Sequence, residues 1–220
     1  YTTNFATSSY NRQVNIRNAS SKINDHTIYP GEEFGLIDLM LPFTTDNGYE
    51  VAHAYSAGEV VDSVGGGVCQ VATTLYNAVI LAELEVVERY NHGMVVDYVP
   101  LSQDAAISES GHQDFKFRNN LENPIYIEAY CEGTNVTFTI YGVEDRPDTR
   151  KIEFVSENVQ TINPGKDIVT KDPSMAEGKE MVTQSAHIGY RAKLWKVVYE
   201  NGKEVSRDVF NTSYYAPSAR

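Results

Sequence analysis

One cysteine of this chain sits where its side chain could do chemistry. In "SVGGGVCQVATTLYNAV", residues 63–79, three consecutive glycines lead to Cys69, and a helical pattern follows. A thiol attacks as its thiolate. A helix N-terminus favours that anion, because unsatisfied N–H groups and the helix dipole point at it. Gly65, Gly66 and Gly67 permit a sharp turn and close approach of a substrate to the backbone. The same N–H groups could hold an oxyanion at Gly67 and beyond, with the Gln70 side chain as a further donor. This is how a thiol nucleophile is built. A cysteine merely packed after a glycine-rich turn is the alternative.

A nucleophile needs a base. The histidines are His26, His53, His92, His112 and His187. His92, in "ERYNHGMVV", lies where the helix has ended and the chain returns, so it can pack beside the helix. It is the first candidate. His53, in "VAHAYSAGEV" shortly before the cysteine, is the second. His26 reads as exposed in a polar loop, His112 as a turn residue and His187 as a surface residue. A third group must orient the imidazole. Asp104, just past "MVVDYVP", is the candidate carboxylate, with Asp97 and Tyr98 as rivals. Tyr98 also joins Gly67 and Gln70 as a candidate for oxyanion or substrate contact.

Cys131 differs. Its alternation with Ile125 and Ile127 turns it toward a core, as a buried apolar thiol. A Cys69–Cys131 disulfide stays open at this point and would remove the nucleophile. No Cys or His pair has metal-ligand spacing, and "GGGVC" lacks the lysine and spacing of a phosphate-binding loop. The chemistry therefore calls for neither metal nor cofactor.

These residues need elements to position them. From Cys69 to Leu84 the helical signal is strong, with Val68, Val71, Ala72, Leu75, Val79 and Ala82 at three- and four-residue steps. A weaker stripe of Val14, Ile16 and Ile23 predicts a helix over 11–24. "MVVDYVP" (94–100) predicts a strand that ends at Pro100, and "DFKFRNN" (114–120) a short strand and turn. "PIYIEAYC" and "NVTFTIYG" alternate as a hairpin around "EGT". "VEDRPDTRK" marks a boundary, with 143–150 as linker. Beyond it, 151–220 reads as a separate small all-β module of short strands, with a hairpin through Asn201-Gly202. The expected fold class is α+β. A mixed helix and antiparallel-strand catalytic domain over 1–142 carries the cysteine at a helix N-terminus, and the β module follows.

At 220 residues and a formal net charge of -12, the chain can bury a core but lacks the cationic surface that nucleic acid or anionic lipid requires. No stretch approaches the ~20 apolar residues of a membrane span, so no membrane contact is expected within this chain. It begins at Tyr1 and shows no signal-peptide pattern. It reads as a piece of a longer protein whose anchor or export signal lies upstream.

"YPGEEFGLIDLM", "GGGVCQVATTLYNAVILAELEVVERYNHGMVVDYVPL" and "DFKFRNNLENPIYIEAY" occur in order over residues 1–142, and together they resemble the VanW domain. The tail, through "INPGKDIVTKDPSMAEGKEMV" and "VVYENGKEV", resembles the G-five surface module, although "SAHIGYRAKLW" departs from its usual glycine spacing. The first resemblance implies an L,D-transpeptidase of peptidoglycan, with Cys69 as nucleophile, His92 as its partner and Asp104 in the block after "YVP". The Ser/Thr-His-Gly-Cys signature of YkuD-type L,D-transpeptidases is absent, since Gly67 stands two residues before Cys69. The implied partners are peptidoglycan stem peptides, and wall glycan through 151–220; a spacer role for 151–220 is the alternative. The implied place is outside the cytoplasm, in the wall or held to a membrane by a segment outside this chain. A cysteine peptidase or amidase of stem peptides, and a non-catalytic module binding wall precursors, are the competing functions.

Overall fold

The computed structural model describes residues 1–56, 59–182 and 185–219, with backbone alone for 55, 56, 59 and 60. In chain order, β1 (Thr2–Asn4) leads to α1 (Tyr10–Ile23), β2 (His26–Ile28), β3 (Glu33–Gly35) and the short α2 (Ile37–Met40). β4 (Val51–Ser56) and β5 (Glu59–Val64) precede α3 (Val68–Leu81) and β6 (Glu85–Glu88). β7 (Lys116–Arg118), β8 (Ile125–Glu132) and β9 (Asn135–Tyr141) complete the first unit. β10 (Arg150–Ile162), β11 (Gly189–Glu200) and β12 (Lys203–Tyr215) form the second. The fold is mixed α+β. Its antiparallel sheets run β1-β9-β8-β2, β3-β7-β6, β4-β5 and β10-β11-β12.

α3 is the axis of the first unit. Its residues from Gln70 to Ile80 are all buried, so it is covered all round rather than on one stripe. Phe5, Ile16, Phe115, Phe117 and Phe138 close around it. The first predicted helix and the hairpin form within a residue of their expected bounds, and α3 ends three residues before the expected Leu84.

Three glycines turn β5 into α3, and each has its own reason. Gly65 and Gly67 have φ of 85° and 110°, a left-handed backbone that favours glycine. At Gly66 a Cβ would lie 2.6 Å from the Ala52 carbonyl oxygen and 2.7 Å from that of His53. The close approach there is made by the β4 backbone.

Two expectations change. Residues 94–100 form bends rather than a strand. No strand edge pairs with them; the nearest pairing is a single antiparallel bridge, Tyr90–Ala106, which closes the loop on itself. Met94, Val96 and Val99 are buried all the same, so the apolar pattern marks a packed loop. The C-terminal strands are long, at 13, 12 and 13 residues. Asn201 and Gly202, with φ of 51° and 77°, make the expected hairpin turn. This sheet also docks on the first unit. Leu194 joins the main core and Phe154 and Phe210 pack against it. Glu83 of the first unit pairs with Arg146 (2.9 Å), Arg150 and Lys196 (2.6 Å).

Candidate active site

Cys69 is the second residue of α3, and no side chain caps the helix at Gly67. No acidic residue occupies the first turn, so the positive end of the dipole meets the sulfur unopposed. Two of the first three helical N–H groups are already used: Val68 donates to Gly65 and Gln70 to Gly67. The Cys69 N–H is the remaining one of the three. The Gln70 side chain also differs from expectation. Its amide nitrogen donates to the Thr3 hydroxyl (3.1 Å) and the Asn4 carbonyl (3.0 Å), and Oε1 is buried without a partner. The donor expected to face an oxyanion is thus committed to β1.

His92 and Asp104 come together through the loop that the Tyr90–Ala106 bridge closes. Asp104 Oδ2 accepts from His92 Nδ1 at 2.8 Å and from the His92 backbone N–H at 2.7 Å. With Nδ1 committed, Nε2 is the ring nitrogen left for Cys69. His92 and Cys69 line the same cleft, and each shifts the other's titration. Cys69 Sγ also donates to the Ile107 carbonyl at 3.4 Å. Cysteine and imidazole therefore face one cleft with the carboxylate behind the imidazole, His92 7% exposed and Asp104 fully buried.

The electrostatics favour charge separation within that group. Burial pushes the Cys69 thiol up, but the hydrogen bond and charge of His92, with Arg12 nearby, bring it below its ordinary value. Burial pushes the His92 imidazolium down, but Asp104 and Cys69 raise it to about 9. Burial raises Asp104, and His92 and Arg89 hold it below the usual carboxylate range. A thiolate–imidazolium pair is the favoured form.

A cleft of about 780 Å³ opens over the sulfur, lined by Arg12, Cys69, His92, Tyr98, Ile107 and Ser108, among others. Tyr98 lines the cleft, and burial and the Cys69 charge hold its phenol well above its ordinary value, so it remains a donor. Its ring meets His92 edge-on at 6.5 Å. It is not the group that orients the imidazole; Asp104 is. Asp97 lines the cleft and is exposed.

The other candidates lie elsewhere. His53 sits at the cleft rim, 74% exposed, bonded to Asp62 at 2.6 Å. His26 bonds its own turn, His112 is exposed at a φ of 49°, and His187 bonds Ser218. Cys131 packs against the core with its sulfur 3.4 Å from the Ser20 hydroxyl, and both cysteines are free. Sequence reasoning missed Arg12, Arg89 and Tyr215. Arg89 lies three residues before His92 and could have been suspected from that spacing. Arg12 and Tyr215 are brought in from distant parts of the chain.

Comparison with known proteins follows this geometry. Residues 11–141 match the family model described as VanW like protein, and residues 155–220 match the G5 domain. The chain is 39% identical over 141 residues to YoaR of Bacillus subtilis (strain 168), covering 64% of this chain and 46% of that protein. It is 29% identical over 117 residues to the vancomycin B-type resistance protein VanW of Enterococcus faecalis (strain ATCC 700802 / V583), covering 51% and 42%. The chain thus spans less than half the length of either relative. The solved G5 domain of an IgA1 protease is similar to 33% of this chain, at 28% identity and a TM-score of 0.23, and 87% of that structure is covered.

Proposed function

Since this chain belongs to the VanW-like protein family and carries a C-terminal G5 domain, we propose that it acts on peptidoglycan as a cysteine-dependent L,D-transpeptidase. The observation that carries this reading is Cys69 at the head of α3 sharing one cleft with His92, whose Nδ1 is bonded to Asp104. A relative named for vancomycin resistance supports a role in wall chemistry.

In this reading the Cys69 thiolate attacks the carbonyl carbon of the third residue of a donor tetrapeptide stem. The C–N bond to the terminal D-alanine breaks, and the His92 imidazolium gives its proton to the departing amine. A thioester on Cys69 remains. The side-chain amine of an acceptor stem attacks it, neutral His92 takes the amine's proton, and the thiolate leaves. The product is a 3–3 cross-link. In this reading the Cys69 N–H and the Tyr98 phenol, which line the same cleft, donate to the tetrahedral oxyanion. The protein works outside the cytoplasm, with residues 151–220 directed to wall glycan.

The test is product analysis by chromatography and mass spectrometry with tetrapeptide-stem fragments. A dimer lighter by one D-alanine, absent with Cys69→Ala, is the expected result. Shortened monomers alone mean that water resolves the thioester and the enzyme is a peptidase. No product from folded, reduced protein favours a binding module.

A further inference from the structure

Asp104 is held from two sides. Both protons on Oδ2 come from His92. Of the two donors on Oδ1, one belongs to the C-terminal sheet and the other, Arg89, is bonded both to that sheet and, through Nε, to the Asp104 carbonyl at 2.7 Å. Tyr215 of β12 donates its hydroxyl proton at 2.5 Å, and Arg89 donates at 3.0 Å while its other terminal nitrogen donates to Ser213 of the same strand at 3.0 Å. The Tyr215 oxygen accepts the Ser102 backbone N–H at 2.7 Å, which aims its own proton at the carboxylate. Asn211, Ser213 and Tyr215 alternate along one strand and so share a face. Asn211 bonds the Tyr76 hydroxyl at 2.6 Å and the Ser102 carbonyl at 3.1 Å. Tyr215 is 1% exposed and Asp104 is 0% exposed, so these bonds are made away from bulk solvent.

We infer that the C-terminal β module is a working part of the active site, and that Tyr215 is a positioning residue that fixes Asp104 and, through it, His92. The inference rests on the transpeptidase reading above. A carboxylate that is buried and fully bonded can present His92 in one orientation and one tautomer. Without the Tyr215 proton, Asp104 has one donor fewer for its charged form. It takes up a proton at higher pH, and the imidazolium and thiolate lose their partner in turn.

The test uses the full chain. Tyr215→Phe keeps the ring and removes the hydroxyl. Tyr214→Phe, on the exposed neighbour, is the matched control. Turnover of the stem fragments and the pH dependence of Cys69 alkylation by iodoacetamide are both measured. Tyr215→Phe is expected to lower kcat about tenfold or more with KM within about twofold. The acid limb of its alkylation profile moves to higher pH, while Tyr214→Phe matches wild type. Ser213→Ala, which removes the sheet's bond to Arg89 at little cost in volume, gives a smaller change in the same direction. It carries the test if Tyr215→Phe fails to fold. Folded variants with wild-type kcat and wild-type alkylation profiles overturn the inference. A wild-type chain that is itself inert overturns the transpeptidase reading instead.

Discussion

In the proposed function, His92 and Asp104 set what Cys69 can do. Burial alone would make it a poor nucleophile, and His92 reverses that. In His92→Ala the burial is less opposed, so the thiol is expected to titrate higher than in wild type. Alkylation of Cys69 at pH 7 should then slow by about tenfold or more, read by mass spectrometry of the labelled peptide. Asp104→Asn should lower turnover by about a hundredfold to ten-thousandfold, because the imidazole loses both its tautomer and its counter-charge. The wild-type pH profile follows from the same residues. Under the proposed mechanism, turnover is expected to fall in acid as the thiolate is protonated, below the ordinary thiol range, and in alkali as His92 loses its proton near 9, read as a pH–rate profile. These residues also bear on stability. The raised His92 contributes most below the ordinary histidine value of about 6.5, and its contribution is lost as pH rises through about 9. Melting temperatures of wild type and His92→Asn should therefore differ more at pH 6 than at pH 10.

At the scale of elements, the glycine turn decides where the sulfur points. Gly66→Ala places a Cβ against two β4 carbonyls, and is expected to cost about 1–3 kcal/mol. Gly93→Ala, with no atom within 4 Å of its Cβ, should stay within about 0.5 kcal/mol of wild type. Thermal or urea unfolding measures both. Much of this level was legible in the sequence. Helical spacing marked α3, alternation marked β8 and β9, and Asn201-Gly202 marked the β11–β12 turn, because each pattern reflects a local period. The loop at 94–100 misled, since buried apolar residues look alike in a strand and in a packed loop. His92 and Asp104 were legible from their places after the helix and after "MVVDYVP", and the structure pairs them although that segment is a loop. The commitment of Gln70 to β1 was not, because it depends on residues about 66 positions away.

For the whole molecule, the sequence marked a boundary but could not say that the second unit packs back on the first. That contact is built from side chains far apart in the chain, such as Glu83 with Arg150 and Lys196. Burial pushes the Glu83 carboxyl up, and Arg150, Lys196 and Arg146 bring it down to about 2. Its contribution is thus present above the ordinary glutamate value of about 4.3, and is lost as pH falls toward 2. Glu83→Gln is expected to destabilise the folded chain by about 1–3 kcal/mol, the lower part of the range for a partly exposed group. Denaturant unfolding at pH 7 should show the loss, and the variant should converge with wild type in strong acid.

The most direct test is the intact mass of the full chain after incubation with a tetrapeptide-stem fragment and no acceptor, wild type beside Cys69→Ala. The account predicts a wild-type adduct equal to the stem less D-alanine, on Cys69, and none on the variant. Folded wild-type protein with a reduced thiol and no adduct, and no cleaved stem in solution, would contradict it.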